Sequence, residues 1–177
     1  TYLQYYLADV VRSFQALGRT LTEAPFQAVA LLGLLISLGA ALASVPAGRA
    51  SDRLGRKPLI YLSGAGLGLL MPFLLLFPRY DLLLALALVF GLFYGVYLAV
   101  DWALVADVLK DPEAHATDMG LWQTAIVVPQ VLAGAFGRPL DLLNAQTPGL
   151  GYQVLYLLAA LFFLLGAFGV AGVRRSR

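Results

Sequence analysis

The sequence predicts an all-α membrane protein, a polytopic helical bundle with five full transmembrane helices and part of a sixth. Three observations predict this fold class. Of the 177 residues, 60% are hydrophobic and only 12% are charged, whereas charged residues make up about a quarter of a soluble domain. The mean hydropathy is +0.81. The apolar residues also form long runs, which short basic or proline-containing loops separate.

Five of these runs are long enough to cross a membrane. A helix needs about 20 mostly apolar residues to span the hydrocarbon core, because its backbone polar groups must be hydrogen-bonded within the segment. The runs lie at about 25–47, 58–77, 82–108, 119–137 and 153–173. Residues 1–11 are apolar but too short to span, and we interpret them as the end of a truncated helix. The whole chain is therefore expected to form a single transmembrane domain.

Composition also excludes several functions. The chain has no cysteine, so disulfide scaffolds and thiol nucleophiles are excluded. Its one histidine, His115, lies in a hydrophilic loop and leaves the intramembrane serines without a catalytic partner. We expect no enzymatic activity, no cofactor and no bound metal. A net charge of +2 is too small for a nucleic-acid-binding protein.

Lys and Arg residues are distributed unequally between the two sides of the predicted bundle. The richer side carries Arg49, Arg53, Arg56, Lys57, Lys110, Arg174, Arg175 and Arg177. The other side carries Arg12, Arg19, Arg79 and Arg138. Cytoplasmic loops are enriched in Lys and Arg, so the richer side, with the carboxyl terminus, is predicted to be cytoplasmic.

Small residues recur at a spacing of four, which in lipid allows helices to approach closely. We expect packing contacts at three such seams: Gly33, Ser37 and Ala41; Gly64 and Gly68; Gly91 and Gly95.

The segment from Gly48 to Lys57, GRASDRLGRK, joins the first two full spans by a very short turn. Its glycines are expected to permit a tight reversal, and Asp52 can cap a helix or pair with an arginine. By composition alone, the segment is an anchor loop of the positive-inside kind.

The spacing of this segment resembles the G-x-x-x-D-R-x-G-R-K signature of the major facilitator superfamily, which lies between the second and third helices of each six-helix half. The residues that fill it are Gly48, Asp52, Arg53, Gly55, Arg56 and Lys57. The stretch 94–109, followed by 119–122 and 129–130, is similar to bacterial members near the sugar-porter and glycoside-pentoside-hexuronide groups. The resemblance covers nearly the whole chain, as the carboxyl-terminal half of a twelve-helix carrier.

This resemblance implies secondary transport by alternating access, in the inner membrane of a bacterium. The six signature residues would then act at a cytoplasmic gate rather than on the solute. Expected partners are the lipid bilayer, a small-molecule solute, a proton or sodium ion, and either the missing amino-terminal half or a dimer partner.

Asp101 is the clearest ionisable residue inside a predicted span. A charged side chain at mid-membrane costs at least about 2.5–3.5 kcal/mol, so such a residue is a functional hypothesis by default. Tyr97 and Tyr94 precede it by one and two turns on the same helix face. Asp101 is either a coupling or substrate-contacting carboxylate, or a structural residue paired with a neighbouring helix.

Two other aspartates are weaker candidates. Asp107, near the membrane surface, either solvates a helix end or pairs with Arg53 or Arg56 as part of the gate. Asp9 follows Tyr5 and Tyr2 on the first helix, and either a cavity role or a surface position is open for it.

On the fourth span, Gln123 and Gln130 lie two turns apart on one face, with Trp122 adjacent. Amides and a flat aromatic ring suit a hydroxylated solute. The same residue types also join helices or anchor them at interfaces. The family resemblance implies secondary active transport of a small solute, with ion-coupled transport of a sugar or glycoside as the specific form that it suggests. Two alternatives stay open: a drug or metabolite efflux carrier of the same superfamily, or a non-transporting scaffold.

Overall fold

The fold is a bundle of long helices, described from a computed structural model that covers residues 2–16, 18–108 and 115–169. The described part begins with α1 (Tyr2–Tyr6) and a π-helical turn (Leu7–Val11). A short antiparallel hairpin follows, formed by the two-residue strands β1 (Gln15–Ala16) and β2 (Arg19–Thr20). The helices that follow are α2 (Pro25–Leu54), α3 (Arg56–Leu76), α4 (Tyr80–Val108), α5 (His115–Ala135), α6 (Gly137–Gln146) and α7 (Leu150–Gly169).

Five helical spans in the described ranges are long and apolar enough to cross a membrane, which confirms the predicted all-α polytopic fold class. They are Pro25–Leu54, Arg56–Leu76, Tyr80–Ala103, Ala116–Gln146 and Leu150–Gly169. α2 runs past the predicted limit at 47 as far as Leu54, because the basic segment after Gly48 is helical rather than a loop. The fourth span is divided into α5 and α6 by a break at Phe136.

The closest helix pair is α2 with α4, which run parallel. A Cβ atom on Gly39 would lie 2.5 Å from the Leu88 carbonyl oxygen, and one on Gly91 or Gly95 would fall on the backbone of Ile36 or Ala40. The two backbones are therefore in direct contact, since no side chain separates them. This confirms the predicted seam at Gly91 and Gly95.

The second seam joins α3 to α7 in antiparallel fashion. A Cβ on Gly64 would lie 2.5 Å from the Cβ of Ala167, and a Cβ on Gly68 would lie 3.0 Å from Cγ of Leu164. The predicted seam at Gly64 and Gly68 is thus confirmed, with α7 as its partner. α3 also runs antiparallel to α4, where a Cβ on Gly66 would press on the Phe93 ring.

The third predicted seam is wrong. A Cβ on Gly33 would meet nothing within 4 Å, and Ser37 and Ala41 are exposed. The small residue of α2 that contacts another helix is Gly39, which lies on a different face. Spacing alone identified a face of small residues but did not identify the face that α4 covers.

These pairings determine which helix ends lie at each of the two ends of the bundle. α2, α4 and α7 end on the same side as the turn between α2 and α3, which carries Arg49, Arg53, Arg56 and Lys57; we call this side the basic end. The opposite side, the far end, holds the hairpin, the start of α4 and α6. The main buried cluster lies toward the far end, around Tyr6, Leu7, Tyr80 and Tyr152.

We expect Gly95→Ala to lower the free energy of unfolding by about 1–3 kcal/mol, because the added methyl group strikes the α2 backbone, which cannot move aside as a side chain can. Gly33→Ala, on an open face of α2, is the matched control and should leave stability unchanged or raise it slightly, because alanine has the higher helix propensity. Thermal unfolding of the purified chain in detergent measures both variants. Equal losses in the two would contradict the assigned seam.

Candidate functional site

The structure distributes the predicted site residues over three separate places. Asp101 and Tyr97 line a cavity near the basic end. Gln123 and Gln130 lie on α5, away from that cavity. Asp9 lies at the far end, where it lines a second, polar cavity. The candidates therefore do not converge on a single pocket within the described residues.

The cavity around Asp101 lies between α3, α4 and α7 and has a volume of about 310 Å³. Its walls include the rings of Tyr97, Phe162 and Phe163, with Gly64 opposite on α3. Asp101 itself is half-buried. No described cation lies within ion-pair distance of it. A carboxyl group in these surroundings gains a strong interaction only when a proton or another cation reaches it.

A ladder of rings leads along α4 toward Asp101. Phe90 stacks on Tyr94 with ring centroids 6.0 Å apart, and Tyr94 stacks on Tyr97 at 6.5 Å. Phe163 of α7 meets Phe90 edge to face at 6.4 Å. Helical spacing predicted that the two tyrosines share a face with Asp101, and the ring contacts place that face against α7 rather than against α5.

α5 is exposed along almost its whole length. Gln123 and Gln130 are both exposed, and Trp122 is half-buried. Trp122 meets Trp102 of α4 edge to face, with ring centroids 4.6 Å apart. Because Trp102 follows Asp101 by a rotation of about 100° around the helix, α4 presents the carboxylate to one side and the indole to the other. No other described element covers Gln123 or Gln130.

The basic turn is built on a single break between two helices. Gly55 has φ 85° and ψ 163°, a backbone conformation that is essentially limited to glycine, and its N–H donates to the Ser51 carbonyl at 3.1 Å. Gly48 lies inside α2 instead of at the reversal, because the helix continues through it to Leu54. A Cβ atom at Gly48 would meet nothing within 4 Å. The expectation that both glycines form the turn is therefore correct only for Gly55.

The charged residues of the turn occupy two environments. Asp52 and Arg53 are exposed in the last turn of α2, whereas Arg56 and Lys57 are half-buried in the first turn of α3. The side chain of Asp107, predicted to pair with Arg53 or Arg56, lies outside the described part of the structure. Arg174, Arg175 and Arg177 also lie beyond the described residues.

Asp9, for which a cavity role and a surface position were both open, is exposed and also lines the far-end cavity. Its carboxylate accepts a hydrogen bond from the Tyr152 hydroxyl of α7, while Tyr5 is exposed. Asp9 lies in the π-helical turn, in which the Arg12 N–H donates to the Leu7 carbonyl at 2.9 Å. The far-end cavity beside Asp9 also contains Arg12, Asn144, Tyr152 and Gln153.

Sequence reasoning missed Asn144, Tyr152 and Gln153. They come from the end of α6 and the start of α7, more than a hundred residues from Asp9 along the chain. Each lies close to the boundary of an apolar run, where polar residues are ordinary and attract no attention. No periodic signal in the sequence links them to the first helix.

Comparison with known proteins gives one match. The family model described as the Major Facilitator Superfamily matches residues 2–176. No curated protein and no solved structure matches the chain.

We expect Gly55→Ala to destabilise the chain by about 1–3 kcal/mol, because a residue with a Cβ atom is strained at φ 85° and ψ 163°. Gly48→Ala, in the same basic segment, has open space and helical backbone and should be neutral or slightly stabilising. Denaturant unfolding followed by far-UV circular dichroism measures both. A stability loss in Gly48→Ala as large as in Gly55→Ala would contradict this assignment.

Proposed function

We propose a transport function from one premise: the chain belongs to the major facilitator superfamily. Members of this superfamily are membrane transporters and not enzymes. With its five long apolar helices, the chain is an integral membrane protein. The observation that carries the proposal is the match of the family model to residues 2–176, nearly the whole chain.

The proposed function is secondary active transport of a small solute by alternating access, with the gradient of a proton or sodium ion as the driving force. Asp101 is the proposed coupling group, because it is a half-buried carboxylate without a described counter-cation in a helix of membrane-spanning length. A change in water access to its cavity changes the protonation of such a group and so couples ion binding to conformation.

The proposed solute is a sugar or glycoside. The support lies on α5, where Gln123 and Gln130 present amide donors and acceptors on one exposed face. Trp122, beside them, offers an apolar ring to the C–H face of a sugar. Since α5 is exposed along its length, we propose that this face lines a cavity completed by an amino-terminal half or a second copy.

The proposed orientation places the basic end in the cytoplasm of a bacterial inner membrane. Arg49, Arg53, Arg56 and Lys57 support it, because positive residues are retained on the cytoplasmic side. Asp52, Arg53 and Arg56 are the proposed residues of a cytoplasmic gate, and Asp107 is proposed to pair with them.

A second candidate function is efflux of a hydrophobic organic cation. The rings of Tyr97, Phe162 and Phe163 around Asp101 favour it, because aromatic faces and a carboxylate together attract an organic cation. A non-transporting scaffold is the remaining alternative. It predicts protein partners without any solute flux.

The experiment uses the native gene product that contains this chain, purified and reconstituted into vesicles. Uptake of radiolabelled lactose, melibiose and methyl-glucoside is measured under an imposed proton gradient and, separately, a sodium gradient. Accumulation that an ionophore abolishes supports the proposal. Extrusion of a fluorescent organic cation without sugar uptake supports efflux, and the absence of all flux contradicts both transport proposals.

In the same vesicles, Asp101→Asn should abolish accumulation against a gradient while solute exchange continues, because the amide cannot take up and release the coupling ion. Asp81→Asn is the matched control. Asp81 is paired with Arg79 at 2.7 Å near the far end and lies outside both cavities that contain Asp101 or Asp9. Unchanged ion-driven accumulation in Asp101→Asn would remove the coupling role.

Gln123→Ala and Gln130→Ala should each raise the KM for the transported sugar about fivefold, which corresponds to the loss of about one net hydrogen bond. Thr124→Ala is the control on the same helix, because the Thr124 hydroxyl is already bonded to the Gly120 carbonyl at 2.8 Å. Initial rates of uptake at graded sugar concentrations provide the values. An unchanged KM in both glutamine variants would place the solute elsewhere.

A further inference from the structure

We infer that the far-end cavity is a second binding site, selective for a neutral polyhydroxylated solute, on the opposite side of the bundle from Asp101. The inference rests on the proposed function, because it names where the transported solute is held before or after it crosses. The site is formed by the π-helical turn, the end of α6 and the start of α7.

The cavity is large and strongly polar. Its volume is about 550 Å³, larger than the cavity of about 310 Å³ around Asp101. The polar side chains that line it are Asp9, Arg12, Asn144, Tyr152 and Gln153. Because it lies at a helix end, it is accessible to water and to a dissolved solute.

The groups that line the cavity are fixed in place but not saturated with hydrogen bonds. The Arg12 Nε–H donates to the Asp9 carbonyl at 2.8 Å, and Asn144 Oδ1 accepts the Gly151 N–H at 2.8 Å. Asp9 accepts the Tyr152 hydroxyl. A carboxylate has further lone pairs, a guanidinium has four more N–H donors, and an amide nitrogen has two. The cavity therefore offers acceptors and donors side by side.

This combination matches a hydroxyl group, which donates and accepts at once. One hydroxyl can donate to Asp9 while it accepts from Arg12 or Asn144. The formal charges of Asp9 and Arg12 cancel, so the site does not favour a ligand with net charge. Gln153 adds a neutral amide, and the ring of Tyr152 adds an apolar surface for a C–H face.

The backbone at the site is in a costly conformation. Five residues form a π-helical turn, and Arg12, which follows it, has φ 58°, the positive value of a non-glycine residue in the left-handed region. Such backbone costs on the order of 1–3 kcal/mol and is found mostly at functional sites. Asp9 lies within this turn and Arg12 directly follows it, and both charged residues line the cavity.

The test uses the absence of cysteine from this chain. Any cysteine elsewhere in the native gene product is first replaced by serine, so that a single introduced cysteine is a unique label site. Pro148→Cys lies on the exposed rim of the cavity and removes no N–H donor. Leu21→Cys, exposed at the same end but outside the cavity, is the control. Both are labelled in vesicles with a membrane-impermeant maleimide, with and without methyl-glucoside, lactose or melibiose.

At ten times its half-protecting concentration, a bound sugar should slow labelling of Pro148→Cys about tenfold and leave Leu21→Cys unaffected. Adding Asp9→Asn should raise the half-protecting concentration about tenfold or more, since a hydrogen bond to a charged group is lost. Gln153→Ala, on the exposed surface of α7, is the second variant and should weaken protection by a smaller factor. Asp81→Asn should leave protection unchanged.

Labelling measures occupancy alone, so its outcome is separate from that of the uptake assay. Sugar uptake without protection of Pro148→Cys overturns this inference and leaves the transport proposal standing. Protection without uptake supports the site and contradicts transport. Protection by glycine or alanine in place of the sugars overturns the assignment to a neutral polyol.

Discussion

The direct backbone contact between α2 and α4 organises the rest of the described bundle. In lipid, helices gain little from burying apolar side chains against each other, so they associate where small residues let backbones touch. Gly39, Gly91 and Gly95 provide that contact over several turns. Because α2 and α4 run parallel, α3, which lies between them in the sequence, must run antiparallel to both. This arrangement determines which loops lie at the same end of the bundle.

α4 contacts the helices on every side of the Asp101 cavity, and it also meets α5. Gly91 and Gly95 pack against α2. Tyr97 and Asp101 face α3 and α7, and Trp102 contacts α5. A helix that packs against α2, α3, α5 and α7 can pass a shift at one contact to the others, because packed interfaces move between discrete arrangements. In the proposed transport function, α4 would therefore be the element that joins Asp101 to the proposed solute-contacting face of α5.

The two cavities differ in the way their polar groups are supported. Asp101 lies among aromatic rings without a described counter-cation, so its state depends on what enters from outside. Asp9 lies among hydroxyl, amide and guanidinium groups that already hold it in position. The first arrangement suits a group that changes protonation during a cycle, and the second suits recognition of a neutral solute at the water interface.

The sequence by itself determined the fold class, the number of full spans and the seams at Gly64, Gly68, Gly91 and Gly95. These follow from hydropathy and from small residues at helical spacing, both of which are local properties of the chain. The basic segment also carried the family resemblance, which the comparison with known proteins confirmed at the level of the superfamily.

Only the tertiary structure decided which face each helix covers and which residues meet. Periodicity groups residues by face but does not name the helix opposite, so Gly33 and Gly39 were indistinguishable until α4 was placed beside Gly39. Asp9 lies in a π-helical turn, a change of helical register that composition does not encode. Its meeting with Tyr152 depends on the docking of the last helix against the first, which arises from packing over the whole bundle.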